Sequence, residues 1–256
     1  MIYRRYTPQP PLSDYVELLW LFDRPVQSHG SERALPTGTV ELVVNLGGGG
    51  ADFDSIVCGP HSRFFVIDTS RPATVMGAHF KPGGMAAFLG LPIDELHNLN
   101  VSLDALWGRR AGELRERLLA AAGAEAKFRL FERLLSAWLD RQHRRHDAVG
   151  HALTAFGRGS RRIGDVVDET GLSPRRFIRL FSGEVGLTPK AFCRVRRFQR
   201  AVARLQGVDD VDWAGTAVAC GYYDQSHMIH EFQDLAGLSP SSYLARRVMH
   251  LNHVPQ

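Results

Sequence analysis

Disulfides and zinc ribbons have little to build on here. The 256 residues include three cysteines, Cys58, Cys193 and Cys220, set far apart with no CxxC pair. Such thiols suit a reducing compartment, and the cytoplasm is the expected location. No apolar run approaches the roughly 20 residues that cross a bilayer, so no membrane partner is expected. The opening "MIYRRYTPQPPLSDYVELLW" lacks the apolar core and small-residue cleavage site of a secretory signal. A histidine-based metal centre would need a close His-x-His pair, and His29, His61, His79 and His97 stand singly. No Ser/His/Asp or Cys/His set can be placed for covalent catalysis. "NLGGGGAD" is followed by no Lys-Ser/Thr or helix start, which makes it a hairpin tip rather than a phosphate loop. No catalytic residue, metal or cofactor is therefore expected, and no enzyme. What remains is an ordinary globular composition, 44% hydrophobic and 23% charged, long enough for two domains or one large one.

The net charge of +4 is unevenly spread. Residues 1–149 balance 17 Lys/Arg against 17 Asp/Glu; residues 150–204 hold 12 against 4, a net of +8; residues 205–256 hold 2 against 6, a net of −4. A charge run is usually a solvated face, but here it lies inside an internal repeat. Ile163, Val167 and Gly171 match Trp213, Ala217 and Gly221 at an offset of 50. Phe177, Phe181, Gly186, Leu187, Pro189 and Phe192 then match Met228, Phe232, Gly237, Leu238, Pro240 and Tyr243 at an offset of 51. Each unit reads as a short helix, a glycine turn, a second helix and a "G-L-[ST]-P" start to a third. Ser173, with Pro174 behind it, and Asp224 are the expected caps of the second helices. Phe177/Phe181 and Met228/Phe232, four apart, mark their inward faces. Outward they carry Arg175, Arg176 and Arg179 in the first unit, and Ser226, His227 and His230 in the second. A helix-turn-helix offers its second helix to the DNA major groove in this way. Between the units, "TPKAFCRVRRFQRAVARLQ" predicts a helix with an inward stripe of Phe192, Val195, Phe198, Val202 and Leu205. It is long enough, at about 27 Å, to space two reading helices by a DNA turn of about 34 Å.

The motifs "GLSPRRFIRLFSGEVGLTPKAF", "RRFQRA" and "GYYDQSHMIHEFQDLAGLSPSSYL" resemble the tandem helix-turn-helix domain of AraC/XylS-type transcriptional regulators. The resemblance implies sequence-specific DNA binding through Arg175, Arg176, Arg179, Arg197, Gln225, Ser226, His227 and His230. Arg197 matches a linker-helix arginine of the family that is either structural or a DNA contact. The family often has arginine where this chain has His230, and arginine grips guanine O6 and N7 with two hydrogen bonds. A neutral histidine offers less, so the second unit is expected to dock less firmly than the first. The exposed-surface reading of His227 and His230, with His227 supporting the turn, stays open. Double-stranded promoter DNA and RNA polymerase are the expected partners; a small-molecule effector and a second copy of the chain are further candidates.

The first half is built differently. "TVELVVNL", "SRFFVID" and "ATVMGAHF" predict strands parted by turns. "RRAGELRERLLAAA" and "AEAKFRLFERLLSAWLDRQ" predict amphipathic helices, with Met85, Phe88 and Leu89 in a short one before them. Phe128, Phe131, Leu134, Leu135, Trp138 and Leu139 form a stripe read as core rather than as a dimer face. "LPTGTVELVVNLG", "GPHSRFFVIDT", "GAHFKPGGMAAFLGLPIDEL" and "VSLDALWG" resemble an N-terminal domain of unknown function found in many AraC-type regulators, which implies a cupin-like fold. The expected architecture is an α+β domain over 1–142, a β-barrel with accessory helices. A linker over 143–150 then leads to an all-α domain over 151–250, two helix-turn-helix units joined by a linker helix. If the barrel holds an effector, His61, Arg63 and His79 are its candidate polar groups, against the alternative that each bonds to a local turn. Two other readings of the first half are a pure protein-interaction module and a cupin-type enzyme, the latter lacking its metal ligands.

Overall fold

Alternating apolar and polar residues drive the first half into sheets. The computed structural model describes residues 2–25, 29–47, 53–157, 159, 161–208, 210–247 and 251–256; the expected hairpin tip at 48–52 lies outside them. The strands are β1 (Ile2–Tyr6), β2 (Val16–Arg24), β3 (Ser31–Ala34), β4 (Glu41–Asn45), β5 (Ser55–Cys58), β6 (Phe65–Asp68), β7 (Ala73–Phe80), β8 (Asn100–Ser102) and β9 (His253–Pro255). Six of them form an antiparallel sheet in the order β1-β2-β7-β4-β5-β8, and three form a second in the order β6-β3-β9. Among the described residues the sheets stay open, so the α+β expectation holds but the closed barrel does not. The larger sheet ends on the exposed β1 at one side and the three-residue β8 at the other, and these edges do not meet.

Leu19, Leu21, Leu42, Val44, Val57, Met76, Ala78 and Phe80 are buried on one face of the larger sheet. Over them lie α1 (Leu103–Trp107), α2 (Arg109–Ala120) and α3 (Gly123–Trp138). Phe128, Phe131, Leu134 and Leu135 of α3 are buried in this layer, so the stripe is core. The short helix expected around Met85 is a single 3₁₀ turn, Gly84–Ala87, that ends before Phe88 and Leu89.

The second half is helical: α4 (Asp147–Gly157), α5 (Ile163–Glu169), α6 (Pro174–Val185), α7 (Pro189–Arg204), α8 (Trp213–Cys220), α9 (Gln225–Ala236) and α10 (Pro240–Arg246). Residues 147–150 of the expected linker are thus the first turn of α4. Val149, Ala152 and Phe156 recur at helical spacing and bury against the helices that follow, a period that becomes legible only beyond Gly150. The repeat is real in three dimensions, since α5, α6 and α7 begin 50, 51 and 51 residues before α8, α9 and α10. Helix α7 serves both units. Its Phe192 ring lies 5.6 Å from Phe181 in the first, and its Phe198 ring 4.8 Å from Phe232 in the second.

The two halves are stitched together. Strand β9, from the far end of the chain, pairs antiparallel with β3, setting Val254 against Arg33. Leu35 and Val254 join the apolar cluster of the helices. At the seam, Glu32 accepts hydrogen bonds from His29 Nε2 at 2.7 Å and His253 Nδ1 at 3.1 Å. Burial raises the Glu32 carboxyl, but these two bonds outweigh it and bring it from 4.5 down to about 2. A depressed carboxylate stabilises the fold above its unfolded pKa and loses that contribution as pH falls through the folded one. Glu32→Gln should therefore cost on the order of 1–2 kcal/mol near pH 6, after allowing for the solvent exposure of His253, with the deficit closing between roughly pH 4.5 and 2. Denaturant titrations of both proteins across that range check it.

Candidate nucleic-acid interface

Helix α6 owes its amphipathic shape to Phe177 and Phe181, both fully buried, which turn Arg175, Arg176 and Arg179 outward into solvent. Ser173 caps it by accepting from the Arg176 N–H at 3.4 Å, with Pro174 at its first position. Helix α9 repeats the design. Asp224 accepts from the His227 N–H at 2.7 Å, Met228 and Phe232 are buried, and Gln225, Ser226 and His230 face out. His227 is half-buried, edge-on to Tyr222 with centroids 5.4 Å apart, and its Nδ1 accepts the Tyr223 N–H at 3.3 Å. It holds the turn that positions α9, which is the local-support reading of that residue.

Arg197 is engaged between α7 and α9. Its Nε and Nη2 donate to Glu231 at 3.0 and 2.6 Å, and its guanidinium lies 5.0 Å over the Tyr222 ring. Burial lowers the Arg197 pKa, but Glu231 outweighs it and the net displacement is upward. These contacts give Arg197 a structural part in joining α9 to α7. Glu231 also accepts from Arg194 Nε at 2.9 Å, while Arg194 Nη2 reaches Asp234 at 3.1 Å. Sequence reading passed over Glu231 although a signal was present. It sits between Met228 and Leu235 on the inward stripe of α9, where an acid needs a cation beside it.

Two large apolar side chains stand exposed beside these residues. Ile178 is 45% exposed, one turn from Arg175 and beside Arg179 on the outward face of α6; Tyr223 is 88% exposed just ahead of α9. Between α7 and α9 runs a groove of about 520 Å³ with Lys190, Arg194 and His230 among its walls.

Of the candidate effector groups, His61 and His79 answer to separate partners. His61 is buried, its ring tilted against that of Phe65 at 4.4 Å, and donates from Nε2 to Asn100 Oδ1 at 3.1 Å; burial holds its pKa below the usual value. Arg63 is exposed. His79, on β7 opposite Glu41 of β4, pairs with that carboxylate at 2.9 Å and with Thr39 Oγ1 at 3.2 Å. Burial opposes its charge, and Glu41 overrides burial to raise its pKa. His61 and His79 thus make separate arrangements, His61 with Asn100 at the start of β8 and His79 with Glu41 of β4.

A family model described as Helix-turn-helix domain matches residues 166–246, and one described as Domain of unknown function (DUF6597) matches residues 4–102. Over 85 residues the chain is 34% identical to the HTH-type transcriptional regulator Rv1931c of Mycobacterium tuberculosis, a match covering 33% of this chain. The match spans 32% of that protein, about a third of the length of the curated relative. Among solved structures, the chain is similar to a probable AraC family transcriptional regulator from Rhodopseudomonas palustris, at 27% identity and TM-score 0.35, over 40% of this chain and 97% of that one. It is also similar to an apo ToxT variant from Vibrio cholerae, at 10% identity and TM-score 0.46, over 89% and 97% of the two chains.

Removing the Glu231 charge leaves two arginines facing a buried neutral group. Glu231→Gln should destabilise the protein by about 2–4 kcal/mol, toward the lower end because Arg194 is partly solvated. Chemical denaturation measures it.

Proposed function

We propose that this chain, which matches a helix-turn-helix domain model behind a domain of unknown function, is an AraC-type regulator that controls transcription by laying α6 and α9 in successive major grooves of promoter DNA. What supports this most is the pair of repeated units on one shared helix, each with an outward-facing second helix and a buried apolar stripe behind it. Helix α7, with 16 residues, is about 24 Å long at 1.5 Å per residue, the scale needed to bridge neighbouring grooves.

Within this proposal, Arg175 and Arg179 read base edges, Ile178 packs against thymine methyls, and Arg176 meets phosphate. Gln225, Ser226 and His230 form the weaker second reader. RNA polymerase is the partner at the promoter. The N-terminal region supplies control: an effector or a second copy of the chain bound there favours one arrangement of the two halves and shifts the DNA-competent population. The His79–Glu41 pair, on the sheet face away from α2 and α3, is the polar group offered to such an effector.

Selection of bound duplexes from a random-sequence pool tests the reading, and the absence of any preferred sequence would refute it. On the selected site, Arg179→Ala should cost about 1–3 kcal/mol of affinity and His230→Ala clearly less. Arg176→Ala should flatten the log–log salt slope by about 0.9 while Arg197→Ala leaves the slope unchanged, both read by fluorescence anisotropy.

A further inference from the structure

The repeat gives the two reading helices equivalent ends. Gly186 closes α6 at φ 85° and Gly237 closes α9 at φ 65°, both left-handed. Both ends rest on one short segment of the N-terminal region, residues 59–64. A Cβ on Gly186 would collide with Pro60 Cγ and lie 2.8 Å from Ile93 Cγ2. A Cβ on Gly237 would lie 2.5 Å from both Arg33 Nη1 and the Phe64 ring. The last carbonyls of α9, which no helical N–H can satisfy, find their donors in the same place. The Phe64 N–H donates to Leu235 O at 2.8 Å, and Arg33 Nη1 donates to Ala236 O at 3.1 Å and Gly237 O at 2.6 Å. The guanidinium also meets the negative end of the helix dipole and lies 4.7 Å over the Phe64 ring.

This segment is itself pinned. His61 bonds to Asn100, Ser62 N–H donates to Asn98 Oδ1 at 2.8 Å, Gly59 N–H to Leu99 O at 2.9 Å, and Asn98 N–H to Pro60 O at 3.3 Å. Such a loop cannot slide without breaking several bonds together.

We propose that Arg33 and Phe64, with Pro60 on the buttressed loop, are positioning residues that set the separation and angle of α6 and α9, and with them the half-site spacing the protein accepts. Helix α7 ties the second unit to the first through Glu231, but the 59–64 loop touches the far ends of both readers. It therefore gives the C-terminal ends of α6 and α9 a common support, beside the contacts each makes with α7. The inference rests on the DNA-reading proposal for its consequence and on the protein alone for its geometry, so its test has two arms.

In the first arm, nitroxides carried on non-natural amino acids at Arg176 and Gln233 of the full chain report the α6–α9 distance without DNA. The unmodified protein should give one narrow peak. Arg33→Ala and Phe64→Leu should broaden it, and Arg33→Lys, which keeps a cation at the helix end, should largely restore it. In the second arm, the selected duplex is compared with a version carrying one extra base pair between half-sites. The unmodified protein should lose about tenfold or more in affinity, and the Arg33→Ala protein should lose less than about threefold. Thermal unfolding confirms that each variant remains folded; Phe64→Leu replaces Arg33→Ala in the DNA arm if the latter is not. An unchanged distance peak, or an unchanged spacing penalty, overturns the inference. Failure of the unmodified protein to select any site sinks the DNA reading instead, and the distance arm then decides the geometry by itself.

Discussion

A single buried carboxylate holds the helical half in register. Glu231 is 5% exposed and takes three hydrogen bonds from Arg194 and Arg197. Apolar packing is tolerant of rotation, because Phe198 and Phe232 could satisfy each other over a range of angles. A carboxylate with fixed acceptor positions is not so tolerant, since any turn of α9 about its axis would leave a charge buried without its donors. The repeat supplies two similar units; the ion pair decides how the second meets the helix they share. The basic segment thus divides its labour, with Arg175, Arg176 and Arg179 left to solvent while Arg194 and Arg197 work inside.

The N-terminal region is less a separate appendage than a bracket. Its smaller sheet takes its third strand from the end of the chain, its Leu35 enters the helical core, and Gln199 of α7 donates to Pro36 O at 2.7 Å. A change at the bracket has a mechanical route to the readers through packed side chains and hydrogen bonds, which is what a population shift between two arrangements needs.

Much of the helical half was legible in the sequence, because its signals are local. Caps at Ser173 and Asp224, glycines after helices, and apolar pairs four apart all follow from neighbours along the chain, and the structure places them as read. The three strands expected from β-branched runs also stand, β7 to the residue. The rest depended on partners far away in sequence. Strand β9 is three residues, with nothing in "HVP" to announce β3 as its neighbour. His61 looked like a pocket group because a lone histidine near strands invites that reading; only its contact with Asn100 shows a loop brace. Arg197 and Glu231 explain each other, yet they stand 34 positions apart in the sequence.

The joining of β9 to β3 also orders events at the ribosome. Strand β3 emerges early and can pair with β6 at once, but its other edge stays open until residue 255 has been made. Throughout synthesis of the helical half, the young sheet therefore presents an unpaired edge, and the contact that closes it has a very long loop to bridge. Pairing of β9 with that edge therefore comes after the chain has supplied the helices that Pro36 and Phe64 already contact.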